Sequence, residues 1–182
     1  KSWKRNLKER GRKMRTIRKG TFETNSSSTH SITVARKNVA IPITEQNIFV
    51  EIGEFGWEFE TYDTPQEVLS YLYTAICCNY KQDYKKYTDK IDKILAENTK
   101  TKVEWQEPKF DEYGYLNDGY IDHGYELAEW LETLFENEEL LLRTIFFGVV
   151  ETGNDNAGWE DGMYCGQGWF NNAVEDVFYK GN

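Results

Sequence analysis

Thr64-Pro65-Gln66-Glu67, followed by Val68-Leu69-Ser70-Tyr71-Leu72-Tyr73-Thr74-Ala75-Ile76, is the stretch from which the architecture is read. Thr64 can cap a helix, Pro65 suits the first helical position, and Glu67 closes a capping box. Val68, Leu69, Leu72, Ala75 and Ile76 then recur at helical spacing and form an apolar stripe.

Downstream, residues 82–97 are expected to form a second helix. Tyr84, Tyr87, Ile91, Ile94 and Leu95 share one side, and Lys85, Lys86, Lys90 and Lys93 surround the exposed surface. Residues 102–105 read as a strand. Residues 107–124 are rich in Asp, Gly, Tyr and Asn and read as a long loop, a feature often functional in compact domains. A helix over 125–135 follows from the spacing of Leu127, Trp130, Leu131, Leu134 and Phe135. Residues 138–142 suggest a short helix, 143–151 a strand, and 171–179 a closing helix or strand.

Upstream, Ile48, Val50 and Ile52 alternate with Phe49 and Glu51, which predicts a strand over 47–52. Gly53 and Gly56 precede a candidate hairpin at 57–60. Residues 16–22 and 32–35 look like short strands flanking a polar turn over 23–31. No internal repeat is present. The expected fold is α+β: short antiparallel strands with about three helices packed on them, preceded by a basic N-terminal arm. Residues 1–15 form that arm, and residues 16–182 a single acidic domain.

Charge divides the chain. The formal net charge is −9 over 182 residues. Residues 1–20 nevertheless hold ten Lys or Arg against the single acid Glu9. From Val103 onward there are three bases and 18 acids. This split suggests a cationic arm for polyanions and an anionic face for a basic partner. Lys4, Arg5, Lys8, Arg10, Arg12, Lys13, Arg15 and Arg18 are the candidate nucleic-acid contacts. Met14 offers an alternative start that would make the leader dispensable. No run of 18 apolar residues is present, so no membrane partner is expected. Cys77, Cys78 and Cys165 make no CxxC pair, and two histidines do not complete a zinc set. Such cysteine usage fits a reducing, cytoplasmic compartment.

Thr24-Asn25-Ser26-Ser27-Ser28-Thr29-His30-Ser31 is the most unusual segment. Ser26, Ser28 and His30 could supply a nucleophile and base, although no GxSxG elbow surrounds them. The plainer reading is a turn whose hydroxyls satisfy their own backbone. The same hydroxyls and amides could also hold a phosphate.

On the helix over 125–135, Glu126, Glu129, Glu132 and Glu136 oppose the apolar stripe, with one carboxylate roughly every 5 Å. Backbone phosphates recur on a comparable length scale, so this face could imitate nucleic acid. A solvated surface is the plainer alternative, but no Lys or Arg on the helix compensates the charge. Glu151 to Asn156 with Glu160-Asp161 offer oxygen ligands near glycines, but their spacing departs from an EF-hand loop. His123, beside Asp122, could titrate near neutrality, although a satisfied loop histidine is the plainer reading. No metal and no cofactor is expected.

The run Ile17-Arg18-Lys19-Gly20-Thr21-Phe22-Glu23-Thr24-Asn25-Ser26-Ser27-Ser28-Thr29-His30-Ser31 resembles the opening of a family of small phage and mobile-element proteins of Clostridia-like bacteria. Phe55-Gly56-Trp57-Glu58, Tyr71-Leu72-Tyr73 and Val150-Glu151-Thr152-Gly153-Asn154-Asp155-Asn156 are similar to the same family. In that family the run starts near the initiator Met, which matches Met14. The chain also resembles type II-A anti-CRISPR proteins, which inhibit Cas9. The resemblance implies binding to Cas9 with its guide RNA in the bacterial host cytoplasm, and no catalytic set comes with it. The expected activity is therefore inhibition by binding, with Glu126, Glu129, Glu132 and Glu136 meeting the partner and the basic arm touching DNA or RNA. The alternatives are a phage accessory enzyme built on the Ser/Thr/His-rich segment and a DNA-binding accessory protein.

Overall fold

A computed structural model of the chain describes residues 28–35, 39–56, 60–122, 127–154 and 174–180. The expected strand over 16–22 and the arm over 1–15 lie outside these residues. Helix α1 (Pro65–Tyr80) begins as its sequence dictates. The Thr64 hydroxyl accepts from the Glu67 amide, and the Glu67 carboxylate accepts from the Thr64 amide at 3.1 Å. Rather than burying one stripe, α1 buries almost its whole middle. Val68, Leu69, Tyr71, Leu72, Tyr73, Ala75, Ile76 and Cys77 are all sealed from solvent. A helix apolar all round belongs inside the core, and α1 is the axis of this one.

Helix α2 (Tyr84–Asn98) follows a short 3-10 turn and buries Ile91, Ile94 and Leu95 as its periodicity predicts. Helices α3 (Ala128–Glu136) and α4 (Glu138–Phe147) form one helical stretch broken at Asn137. The α+β expectation, with helices packed on short strands, is met.

Strands β1 (Ser28–Ala35), β4 (Glu60–Tyr62), β7 (Gly148–Asn154) and β8 (Val174–Lys180) build a four-stranded antiparallel sheet in the order β4-β7-β1-β8. Two small ladders run parallel instead: β2 (Glu45–Val50) with β5 (Lys100–Trp105), and β3 (Glu54–Phe55) with β6 (Tyr120–Ile121). The antiparallel expectation thus holds for the sheet and fails for the ladders. The connection from β2 to β5 passes through α1 and α2, and such a crossover returns the chain in the same direction.

Three segments depart from expectation. Ser28 to Ser31 are not part of a turn but the first half of β1, registered against residues of β7 and, from His30, of β8. Of the hairpin expected over 57–60, residues 57–59 lie outside the described residues, and β4, which begins at Glu60, joins β7, far off in sequence. Residues 143–147 continue α4 rather than open a strand. Thr144, Ile145, Phe146 and Phe147 favour strands locally, but the helix buries Leu141, Leu142, Ile145 and Phe146 together, and packing overrides propensity. Helix then gives way to β7 at Gly148, where a Cβ would collide with the Thr144 carbonyl oxygen.

The backbone at the end of β2 and just beyond it is met by side chains of α1. Gln66 Nε2 donates to the Phe49 carbonyl at 3.0 Å, the Ser70 hydroxyl donates to the Glu51 carbonyl, and Thr74 Oγ1 accepts from the Gly53 amide at 3.1 Å. Gln66, Ser70 and Thr74 stand four residues apart, on one helix face.

Candidate functional site

Helix α3 turns Trp130, Leu131, Leu134 and Phe135 into the core. The same periodicity leaves Glu129, Glu132 and Glu136 exposed on the other side. Glu126, the fourth member of the row, lies outside the described residues. Glu132 and Glu136 are about 4.5 Å and 10.5 Å along the axis from Glu129, at 1.5 Å per residue. Asn137 then restarts the helix, its side-chain oxygen accepting from the Leu140 amide at 3.0 Å. Glu138 and Glu139 occupy the first turn of α4, where the dipole favours negative charge, and both are exposed. Exposed carboxylates therefore continue past the end of α3 into the first turn of α4. Asn137 ahead of two glutamates was the signal for this continuation.

The tertiary structure also supplies what α3 lacks in its own sequence, a cation near its C-terminus. Lys90 of α2 donates from Nζ to the Phe135 carbonyl at 2.6 Å and lies 6.0 Å from the Phe135 ring centroid. An ammonium there offsets the negative end of the α3 dipole beside Glu136. Behind the face, Tyr80 stacks on Tyr87 with centroids 3.8 Å apart, and Phe135 packs against Tyr87 at 4.9 Å. Burial pushes the Tyr80 phenol up, and Tyr87 and the Glu132 charge add to it. The row is thus seated on a packed aromatic cluster.

The hydroxyl-rich segment is placed differently from its reading as a turn. Ser28 and His30 are two residues apart in β1, the strand that carries buried Ile32 and Val34. His30 is registered opposite Thr152 of β7 and Lys180 of β8, and Thr152 opposite Glu60 of β4. Thr152 is buried. The Tyr62 hydroxyl donates to the Glu60 carboxylate and hydrogen-bonds Thr152, while burial and Glu60 raise the phenol above its ordinary range. Ser26 lies outside the described residues. So do Lys4, Arg5, Lys8, Arg10, Arg12, Lys13, Arg15 and Arg18 of the arm, and His123.

The candidate oxygen-ligand segment is split. Glu151 to Asn154 belong to β7, with Glu151 opposite Ser31 and Thr61, and the remainder lies outside the described residues. Among the described residues, no group of three or more His, Cys, Asp or Glu is placed to hold a metal ion. No helix among them is long and apolar enough to cross a membrane.

Fold and surface together define an α+β protein whose helical pair α3–α4 exposes a row of carboxylates. No family model, curated protein or solved structure matches this chain.

Proposed function

We propose that this protein is a non-enzymatic inhibitor of a CRISPR effector of the type II-A Cas9 class, acting by protein binding. The observation that carries the reading is the exposed row Glu129, Glu132 and Glu136 on α3, extended by Glu138 and Glu139 on α4. Cas9 holds its heteroduplex in a positively charged channel and reads a short motif on duplex DNA with arginines. A rigid helix carrying carboxylates at turn spacing complements such a channel and competes with phosphate for the same cations. The choice of Cas9 rests on the resemblance of the chain to type II-A anti-CRISPR proteins. In this reading the basic arm contacts guide RNA or DNA.

Titration of the protein into a Cas9–guide–DNA cleavage reaction tests the proposal. The expected result is a sharp loss of cut DNA at a fixed molar ratio. No inhibition at large excess overturns it for the effector tested. Turnover at substoichiometric protein, abolished by His30→Ala, would instead identify an enzyme built on the Ser–His segment.

A further inference from the structure

The residue 107–122 segment contains an ordered hairpin with two outward-facing tyrosines. Phe110 and Leu116 bridge its arms and pack against the core. Asp111 organises the tip: its carboxylate accepts from the Tyr113 amide at 2.8 Å and the Tyr115 amide at 2.7 Å, and its own amide donates to the Tyr115 carbonyl at 2.8 Å. Gly114 turns the chain at φ +79°, a conformation that glycine adopts without strain. Anchored below and hydrogen-bonded within, the tip holds Tyr113 at 72% and Tyr115 at 65% exposure.

Large aromatic rings in water on a preordered loop are unusual for a structural element. Tyrosine is enriched at interfaces because it brings contact area at low entropic cost. Two observations define the chemistry such rings would take. The Tyr115 ring already carries a cation, Lys81 Nζ at 4.9 Å from its centroid. Lys81 reaches it from the end of α1 with a φ of +50°, the one non-glycine residue described with positive φ. Glu112, exposed between Asp111 and the first ring, gives the tip a second carboxylate against the cation of Lys81, so its formal charge is negative as well as its surface aromatic. Carboxylate beside ring repels a phosphate backbone and attracts a guanidinium, which stacks on the ring and pairs with the acid.

We propose that the tip over residues 111–115 is a docking element for arginine side chains on a cationic protein partner. The inference deepens the acidic-face reading and rests on it for the partner's charge. It adds a second, aromatic contact with a preference of its own. The acids of α3 attract both cations and can themselves favour arginine through bidentate pairing, so the mark of the rings is the part of the arginine preference that is lost with them.

The test uses labelled nona-arginine and nona-lysine peptides with the full chain, read by fluorescence anisotropy. The wild type should bind nona-arginine more tightly. The pair Tyr113→Ala with Tyr115→Ala should lower nona-arginine affinity about fivefold or more and reduce the arginine preference, at unchanged net charge. Tyr113→Trp with Tyr115→Trp should preserve or tighten binding, which keeps the test decisive even where the alanine pair unfolds. Wild-type affinity and preference in the folded alanine pair overturn the proposal. So does ring-dependent binding of a single-stranded DNA oligomer in place of the peptide. In a parallel arm, Glu129→Gln, Glu132→Gln and Glu136→Gln together should weaken both peptides. Loss in that arm alone removes the hairpin and leaves the acidic face; loss in neither removes both.

Discussion

At the residue scale, the capping box that opens α1 joins local sequence to stability. The Thr64 hydroxyl and two backbone amides hydrogen-bond the Glu67 carboxylate and hold its pKa below the ordinary range, the hydroxyl contributing most. Thr64→Ala should cost about 1 kcal/mol, lowering the midpoint of thermal unfolding by about 2–4 °C. A depressed carboxylate contributes stability that is present above its unfolded pKa and is lost as pH falls through its folded one. The stability gap between wild type and Glu67→Gln should therefore be full at neutral pH and shrink below about pH 4.3. Urea melts across that range check it, and a constant gap would contradict the linkage. Cys77 offers a second expectation. Burial pushes its thiol up to about 12, so the thiolate is scarce at neutral pH. In the folded protein Cys77 should resist iodoacetamide, and after denaturation it should react at an ordinary rate, as peptide mass spectrometry can follow.

At the scale of elements, side chains of α1 satisfy the backbone at the end of β2 and just beyond it. Thr74→Val leaves the Gly53 amide without its acceptor, and Ser70→Ala leaves the Glu51 carbonyl without its donor. A buried unsatisfied backbone group costs roughly 1–3 kcal/mol, so Thr74→Val should destabilise within that range. Ser70→Ala should cost less, because the Ser70–Glu51 bond is exposed. Chemical denaturation of the two variants and their double gives the comparison. How far each element could be read from sequence follows the range of the forces acting on it. The start of α1, the α2 stripe and the apolar face of α3 depend on neighbours within two turns, and each is found close to its expected place. The extension of α4 through Phe147 depends on which side of the core those residues meet, and β-favouring types there misled the reading. Two-residue β3 and β6 pair with each other across a long stretch of chain, so no local pattern announces them.

At the scale of the molecule, charge reversal is the sharpest test of the acidic face. Glu129→Lys, Glu132→Lys and Glu136→Lys together should weaken inhibition at least tenfold while leaving the melting temperature nearly unchanged. All three project from the exposed side of α3, where substitutions usually alter stability by less than about 0.5 kcal/mol. Inhibition by the wild type should also fall with added salt, since the attraction is screened over about 10 Å at 0.1 M. Unaltered potency of the triple variant would remove the face as the contact.

The sequence by itself determined the start of α1, the apolar faces of α2 and α3, the α+β class and the glutamates of α3, because capping and 3.6-residue periodicity act between near neighbours. Only the tertiary structure decided that α1 is the buried axis and that Ser28 and His30 enter a strand beside Thr152. Only it brought Lys90 to the end of α3 and held Tyr113 and Tyr115 outward on a braced turn. Each of these outcomes depends on contacts between residues far apart in the chain. The pairing of β1 with β7 spans more than 100 residues, and what selects it is the shared burial of Ile32 and Val150 rather than any preference of Ser28 to Ser31.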